Sequence, residues 1–181
     1  MSDSIISQND IDYLKMIRKN IIEFMKYTSV NYAHQPGILL DIAPQIHSGA
    51  KPYFSEYIKV ETFDIDIHSG CTYIGDICQY NEFLKINTFD YIVCTEVLEH
   101  TLHPFKAVDE ILRILKPNGK LFLSVPFNFR IHGPLPDCWR FTEHGLRVLL
   151  ERFSILELNA IETPERQLMP IHYTVVAQKL I

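Results

Sequence analysis

The sequence predicts an α/β fold with a doubly wound, mostly parallel sheet. Seven short segments have the composition of strands, and most are apolar on both faces, which is typical of strands buried inside a parallel sheet. Segments with helical periodicity precede and separate several of these strands. The last two strand segments have no helix between them, which predicts a hairpin and therefore one antiparallel strand in the region of one edge.

The first half of the chain begins with a predicted helix at 10–28. Its apolar side chains recur at steps of three and four, which is typical of a helix with one buried stripe. They are Ile11, Leu14, Ile17, Ile21 and Phe24. After a break at 34–37, strands are predicted at 38–42, 57–63, 72–74 and 91–94.

The second half alternates helix and strand before the closing hairpin. A helix at 104–116 begins with Pro104 in its first turn and ends at the turn residues Pro117, Asn118 and Gly119. A helix at 142–151 has Thr142 as its N-cap. The remaining strands are predicted at 121–125, 154–161 and 172–178, with a Pro-rich loop at 126–140 and a connecting segment at 162–171.

The composition is that of a single folded domain. Hydrophobic residues make up 47% and charged residues 22% of the 181 residues, unlike the composition of disordered chains. We expect one domain over 1–181, with a leading helical segment at 1–35 and the sheet-containing core at 36–181. The net charge of −5 argues against nucleic acid as a partner, because nucleic-acid binders usually carry a basic surface.

The cysteines and the beginning of the chain favour a cytoplasmic location. The four cysteines form no CxxC pair, so reduced thiols are expected. The stretch MSDSIISQNDID has neither the basic nor the apolar region of a signal peptide. No apolar run approaches the roughly 20 residues that span a bilayer, so no transmembrane segment is expected. We expect a monomer or a homodimer.

Glycine is scarce, and this argues against the usual phosphate-binding loops. The seven glycines are too far apart to form a GxGxxG or GxxxxGK[ST] loop, whose backbone would hold nucleotide phosphates. Most NTP-binding and dinucleotide-binding functions are therefore excluded. An NAD-dependent oxidoreductase is disfavoured for the same reason.

Carboxylates follow several of the predicted strands: Asp41, Asp64, Asp76, Glu96 and Glu99. In an open doubly wound sheet, ligands bind beyond the carboxyl ends of the strands, where the strand order reverses. Asp64 follows Asp41 by 23 residues, close to the spacing expected between a first-turn nucleotide loop and an acid that binds ribose hydroxyls. For any one of these acids, a capping or solvated role is an equally good interpretation.

A group of carboxylates would repel a pyrophosphate and attract a cation. The turn after the first strand also disfavours a phosphate, because Pro44 has no N–H and Ala43 carries a Cβ that blocks close approach of a phosphate. We therefore expect a nucleoside ligand that lacks phosphates and carries positive charge. S-adenosylmethionine has a ribose, an ammonium and a sulfonium.

Several stretches resemble the class I S-adenosylmethionine-dependent methyltransferases, especially small, type 11-like bacterial enzymes of surface-glycan and polysaccharide biosynthesis. The matching stretches are ILLDIAPQ at 38–45, VETFDID at 60–66, GDI at 75–77, FDYIVCTEVLEH at 89–100, ILRILKPNGKLFLSVPF at 111–127 and HGPLPDCWRFTEHGLRVLL at 132–150. The resemblance implies a Rossmann-like seven-stranded sheet and S-adenosylmethionine as the cofactor.

The resemblance also implies roles for the matching positions. It places Asp41, Ala43, Pro44 and Gln45 near the methionine end of the cofactor, Asp64 with its neighbour Ile65 at the ribose, Asp76 and Ile77 at the adenine, and Thr95, Glu96 and Val97 beneath the sulfonium. The chain departs from the family in one turn, because Ala43-Pro44-Gln45 stands where the family usually has a glycine-rich sequence.

Two histidines are candidates for the base that would take a proton from a hydroxyl acceptor. His132 opens the loop after the fifth strand, where an acceptor would reach the cofactor, and a catalytic and a structural role are equally good interpretations. His100 follows the fourth strand, where a structural role with bonds to the backbone is favoured. His144 is expected to face solvent.

The rest of that loop offers acceptor-binding candidates. Asp137 could orient His132 or bind an acceptor hydroxyl, and Arg140 could hold an acceptor carboxylate or phosphate; alternatively the two form an ion pair. Trp139 could present a flat face to a sugar or to the cationic cofactor, or fill the space under the loop. No metal is expected, because no HxxxH, CxxC or facial-triad spacing occurs.

Two functions remain open at this point. The first is an S-adenosylmethionine-dependent methyltransferase that acts on a hydroxyl or similar group of a sugar, sugar nucleotide or lipid-linked glycan, and this acceptor class rests on the resemblance alone. The second is a non-catalytic binding or scaffold module that keeps the fold, and the missing glycines motivate it.

Overall fold

The computed structural model describes residues 6–44 and 49–181. In these residues the helices are α1 (Gln8–Asn31), α2 (Pro104–Ile114) and α3 (Glu143–Leu149), with 3-10 turns at Lys51–Tyr53 and Leu98–His100. The strands are β1 (Gly37–Ile42), β2 (Ile58–Asp64), β3 (Tyr73–Ile74), β4 (Phe89–Thr95), β5 (Leu115–Pro126), β6 (Phe153–Thr163) and β7 (Arg166–Lys179).

The strands form one seven-stranded sheet in the order β3-β2-β1-β4-β5-β7-β6. β7 runs antiparallel to both of its neighbours, and the other pairings are parallel. The predicted doubly wound, mostly parallel sheet is confirmed. The antiparallel strand lies one place in from the edge, because β6 pairs outside it.

Helices cover both faces of the sheet. On one face, α1 and the turn at Lys51–Tyr53 pack on an aromatic cluster, in which the ring of Phe122 lies 6.5, 6.0 and 6.2 Å from those of Phe24, Phe54 and Tyr91. On the other face, α2 and α3 bury Ile111 and Leu146 against the sheet. Each buried side chain of this size contributes about 1.5–3 kcal/mol. The sheet is therefore packed on both faces, and the loops that follow its strands start from fixed positions.

α1 is longer than the predicted helix at 10–28 because a capping box starts it earlier. The Ser7 hydroxyl accepts from the Asp10 N–H, and the Asp10 carboxylate accepts from the Ser7 N–H. Such a box satisfies two N–H groups that a helix start leaves unpaired. Helix α3 begins as predicted, with the Thr142 side chain accepting from the Gly145 N–H at 3.1 Å.

The end of α2 corrects the sequence prediction. The helix stops at Ile114, and Leu115 is already extended and begins β5. Pro117 disfavours helical backbone at the residue before it, which ends the helix early. The turn residues then form an irregularity in β5, between the pairs Phe89–Leu115 and Tyr91–Lys120.

The connection between the last two strands is also shorter than predicted. β6 and β7 continue through most of 162–171, and Thr163 pairs with Arg166 across the turn. Within the described residues, no helix has the length and apolarity that a membrane crossing requires.

Candidate functional site

The parallel strands end side by side where the strand order reverses between β1 and β4. Ile42 pairs with Phe63 of β2 and with Cys94 of β4, and the Ala43 N–H donates to the Phe63 carbonyl at 2.7 Å. Thr95 at the end of β4 pairs with Ser124 of β5. The residues that follow β1, β2 and β4 therefore lie together at the carboxyl ends of these strands, as a nucleoside site at a switch point requires.

Asp41 binds the backbone of Ala50, just before the 3-10 turn at Lys51–Tyr53. It is buried, and its Oδ2 accepts a hydrogen bond from the Ala50 N–H at 2.6 Å. Burial raises the pKa of Asp41 to about 6, although the bond from Ala50 opposes this shift. Gly49 has a φ of 55°, and a Cβ there would collide with Asp41 Oδ2. Asp41 therefore acts on the loop backbone rather than at an open surface.

Ala43 has left-handed backbone, with a φ of 53°. This conformation costs a residue with a Cβ roughly 1–2 kcal/mol, whereas glycine adopts it freely. The chain therefore makes the bend of a glycine-rich turn with alanine. Pro44 is half-buried beside it, and Gln45 lies outside the described residues.

Asp64 ends β2 with one carboxylate oxygen available. Its Oδ1 accepts from the Asp66 N–H at 2.9 Å, and among the described residues Oδ2 has no protein donor. Ile65 beside it is 69% exposed and offers an apolar surface at the same place. Asp76 Oδ1 accepts from the Cys78 N–H at 2.8 Å, while the Ile77 side chain is buried in the core.

Glu96 begins a partly buried chain of polar contacts at the end of β4. Its Oε1 accepts from Ser124 Oγ at 2.9 Å and lies 2.7 Å from Nε2 of the fully buried His172. His172 Nδ1 in turn lies 2.8 Å from Asn20 Nδ2 of α1. Because the Asn20 amide donates, His172 accepts at Nδ1 and donates from Nε2 to Glu96. Glu96 has a φ of 56°, its neighbour Thr95 is half-buried and Val97 is buried.

Glu99 is fully buried beside the two candidate histidines. Its Oε1 lies 3.7 Å from His100 Nε2 and 3.9 Å from His132 Nε2. Neither Glu99 oxygen has a hydrogen-bond partner among the described residues. Burial raises the pKa of Glu99 well above its ordinary value, and the charge of Glu96 adds to this shift. Burial lowers the pKa of His100.

The loop after β5 carries the remaining candidates. Arg140 donates to both oxygens of Asp137, from Nη1 at 2.5 Å and from Nη2 at 2.8 Å, and also to the carbonyls of Phe129, Arg130 and Trp139. These bonds lower the pKa of Asp137 to about 2. The structure thus shows the ion pair between Arg140 and Asp137. The N–H groups of Arg140 bind Asp137 and loop carbonyls, and not an acceptor carboxylate or phosphate. The buried Asp137 also contacts His132, with Oδ2 3.1 Å from Nδ1.

Trp139 lies at the rim of this loop. Its Nε1 donates to the Thr101 carbonyl at 2.8 Å, its ring stacks on Phe141, and 41% of the residue is exposed. Exposed apolar side chains occur on the neighbouring segments, at Leu102, Phe105, Ile131 and Leu135. His144 is exposed on α3, as expected.

The structure thus gathers His100, His132, Asp137 and Arg140 around Glu99, while the predicted cofactor residues follow the strand ends. Sequence reasoning missed His172 and Asn20, which lie 152 residues apart and have no local signal of their contact. It also gave no acceptor-side role to Glu99, although EVLEH places that carboxylate beside His100.

Comparison with known sequences identifies one family. A family described as a methyltransferase domain matches residues 16–161, about four fifths of the chain. A polyketide synthase of Dictyostelium discoideum is 34% identical over 73 residues, which cover 37% of this chain and 3% of that protein. A ubiquinone biosynthesis O-methyltransferase of Haemophilus ducreyi is 33% identical over 60 residues, 33% of this chain and 25% of that enzyme. The chain thus matches a quarter or less of the length of these curated relatives.

Solved structures share the fold. A SAM-dependent methyltransferase from Methanosarcina mazei superposes with a TM-score of 0.66 at 20% identity, over 84% of this chain and 96% of that one. The Burkholderia thailandensis 1,6-didemethyltoxoflavin-N1-methyltransferase, solved with 1,6-didemethyltoxoflavin and S-adenosylhomocysteine bound, superposes with a TM-score of 0.62 at 17% identity. That superposition covers 99% of this chain and 93% of the other.

Proposed function

The chain belongs to the methyltransferase-domain family, the class I S-adenosylmethionine-dependent methyltransferases, and on this premise we propose that it methylates a hydroxyl oxygen of a small molecule. The acceptor class that we propose is a sugar, a sugar nucleotide or a glycan. The observation that supports the activity most directly is the pair of histidine Nε2 atoms beside the buried Glu99, next to the strand ends where the cofactor would bind.

The residues at the strand ends fit the cofactor. Asp64 Oδ2 is available for a ribose hydroxyl, Ile65 offers an apolar surface beside it, and Asp76 would lie near the adenine. Ala43 and Pro44 after β1 would lie near the methionine part, and Glu96 would face the sulfonium. When bound, S-adenosylmethionine supplies a methyl group on a positively charged sulfur. The carboxylates at these strand ends favour such a cation over a phosphorylated nucleotide.

The acceptor side supplies a place for the hydroxyl proton. The His132 side chain is partly exposed, and its Nε2 lies 3.9 Å from Glu99 Oε1. Its Nδ1 is held by the Arg130 carbonyl at 3.3 Å and lies 3.1 Å from Asp137 Oδ2. An imidazole held in this way can accept a proton at Nε2, and general-base help of this kind contributes about 100-fold to 10,000-fold in rate. His100 is held similarly, with Nδ1 3.1 Å from the Pro136 carbonyl.

Trp139 supports a ring-shaped acceptor such as a sugar, because 41% of the residue is exposed while its Nε1 is held by the Thr101 carbonyl and its ring stacks on Phe141. The test is transfer of a labelled methyl group from S-adenosylmethionine into a panel of nucleotide sugars, lipid-linked sugars and phenols. Label in a sugar hydroxyl supports the proposal. Label in a phenol alone supports the activity and rejects the acceptor class, and no label in any acceptor rejects both.

Ala43 favours a second candidate function, because a left-handed alanine stands where a glycine-rich turn is usual. The chain would then be a binding or scaffold module without catalysis. Calorimetry separates the two functions. Heat of binding with S-adenosylmethionine and with S-adenosylhomocysteine supports the enzyme, and no heat with either at millimolar concentration supports the module.

A further inference from the structure

We propose that Glu99, His100 and His132 bind one divalent transition-metal ion of the zinc type, at the position where the acceptor hydroxyl arrives. The inference rests on the proposed function, because it specifies how the acceptor side of that site works. It also revises the expectation from the sequence, in which no metal-ligand spacing was visible.

The three ligand atoms are close to the geometry that a metal needs. Glu99 Oε1, His100 Nε2 and His132 Nε2 all lie within 4.8 Å of one another, and the two distances from Glu99 are 3.7 and 3.9 Å. In a tetrahedral zinc site with bonds of roughly 2.0–2.1 Å, ligand atoms lie about 3.4 Å apart. The distances from Glu99 therefore need to shorten by about half an ångström or less.

Both histidines are oriented as metal ligands. His100 Nδ1 lies 3.1 Å from the Pro136 carbonyl, and His132 Nδ1 lies 3.1 Å from Asp137 Oδ2. The hydrogen-bond partners of the two Nδ1 atoms are carbonyls, Pro136 for His100 and Arg130 at 3.3 Å for His132. A carbonyl can only accept, so each Nδ1 donates and the lone pair of each ring is on Nε2, which lies beside Glu99. A carbonyl or carboxylate behind a ligating imidazole is the usual support of a metal site, and Asp137 is itself held by Arg140.

The buried Glu99 carboxylate is the independent observation that points to a ligand. Both of its oxygens lack a hydrogen-bond partner among the described residues, although the side chain is fully buried. Buried polar groups are almost always paired, and an unpaired buried carboxylate is strongly unfavourable. A cation between Glu99 and the two Nε2 lone pairs would satisfy all three groups at once.

The donor set selects the kind of ion. Two imidazoles and one carboxylate suit zinc and similar first-row ions, whereas magnesium and calcium prefer oxygen ligands alone. The histidine side chains are partly exposed, so one side of the site is open to an incoming group. With three protein ligands, a tetrahedral ion keeps one position for the acceptor.

A cation at this position would make the acceptor hydroxyl more acidic. The hydroxyl O–H bond breaks, its proton passes to water, and the oxygen forms the new bond to the methyl carbon. The bond from that carbon to sulfur breaks with its electron pair on sulfur, which loses its positive charge. His132 then acts as a ligand rather than as the proton acceptor.

The test measures metal binding directly, on the full chain without an added histidine tag and after treatment with a chelator. Calorimetry with zinc chloride and with cobalt chloride is expected to give one ion per chain, and cobalt is expected to add visible absorption bands. Magnesium chloride is expected to give no heat. Glu99→Gln is expected to weaken zinc binding at least tenfold, while the metal-free variant unfolds at the same or a higher temperature because a buried unpaired carboxylate is gone.

His144→Ala is the matched control, since His144 is exposed on α3 and outside the three ligands; its zinc affinity is expected to equal that of the parent. His132→Ala repeats the test if Glu99→Gln does not fold. Absence of zinc and cobalt binding, or unchanged affinity in the ligand variant, overturns the metal site. Full methyl transfer in the presence of chelator also overturns it and leaves the proposed function intact. Zinc binding without any binding of S-adenosylmethionine supports the metal site and rejects the proposed function.

Discussion

The two sides of the candidate site differ in how their carboxylates are satisfied. On the cofactor side, three acids each accept a main-chain N–H from a nearby residue: Asp41, Asp64 and Asp76. On the acceptor side, Glu99 is fully buried and has no partner among the described residues. Local turns therefore pair the acids of the cofactor side, whereas the acceptor side holds a buried carboxylate for which the described residues supply no hydrogen-bond partner.

The largest effect is expected from His132→Ala, which changes the acceptor side and leaves the cofactor side intact. The turnover number should fall about 100-fold or more, because the hydroxyl proton loses the imidazole that assists its removal, either as base or as ligand. The dissociation constant of S-adenosylmethionine should stay within about twofold of the parent. Single-turnover methyl transfer and calorimetry measure the two quantities.

His144→Ala serves as the control, because it removes an exposed histidine of the same loop-to-helix region. An unaltered turnover number in His132→Ala would remove that residue from the chemistry. Equal losses in turnover and in cofactor affinity would show that the two sides are not independent.

The pH dependence of stability tests whether Asp41, although it accepts the Ala50 N–H, still loses free energy when its carboxylate ionises in the folded protein. Its folded pKa of about 6 exceeds the ordinary value of 3.8 because the group is buried. The stability that protonated Asp41 contributes is therefore fully present below about pH 4 and is lost as pH rises through about 6. The loss amounts to about 3 kcal/mol if the whole shift is expressed in unfolding.

Comparison with Asp41→Asn isolates this group, because an amide oxygen can still accept from the Ala50 N–H but does not titrate. The parent should lose stability relative to the variant between about pH 4 and pH 7. Urea unfolding of both proteins across that range gives the difference. A difference that does not change with pH would mean that Asp41 is not desolvated in the folded protein.

Asp64→Ala tests the ribose position on the cofactor side. The dissociation constant of S-adenosylmethionine should rise tenfold or more, about 1.4 kcal/mol, because two ribose hydroxyls lose a charged acceptor. Asp66→Ala is the matched control, since Asp66 lies two residues further on and is exposed. Its bond to Asp64 comes from the main-chain N–H, which alanine keeps. Equal affinities of Asp64→Ala and the parent would show that the ribose binds elsewhere.

The same contrast explains what the sequence could predict. The strand ends and their acids follow from local patterns, since a buried apolar run and the polar residue after it are neighbours in the chain. Helix α2 is the local exception, because Pro117 acts on the residue before it and ends the helix earlier than the periodicity indicates. The order of the strands, which brings the acids at their carboxyl ends together, is consistent with the resemblance to a known family.

The acceptor side depends on contacts between distant segments. His132 lies in an irregular loop without periodicity, so no pattern places its Nε2 beside Glu99. The contact of Asn20 with His172, which continues to Glu96, likewise joins α1 to β7 and β4 through single side chains. Such contacts depend on tertiary packing and on side-chain direction, which spacing rules do not contain.

The smallest effect is expected from Ala43→Gly, at the left-handed residue that follows β1. Glycine removes the cost of a left-handed φ at a residue with a Cβ, but it also makes the unfolded chain more flexible. The free energy of unfolding should therefore rise by only about 0.5–1 kcal/mol, as measured by urea unfolding. Ala50→Gly is the control in the same loop, because Ala50 has an ordinary φ of −75° and should lose stability on the same change.

Ala43→Gly also sharpens the contrast between the two sides, because it opens the cofactor turn without touching Glu99 or its neighbours. If Ala43 only strains the turn, the variant binds S-adenosylmethionine at least as tightly as the parent and transfers methyl groups at the same rate. If binding appears only in the variant, the alanine has closed the cofactor side, and the natural chain is the non-catalytic module. Loss of stability in Ala43→Gly similar to that in Ala50→Gly would show that the left-handed turn carries no strain that glycine relieves.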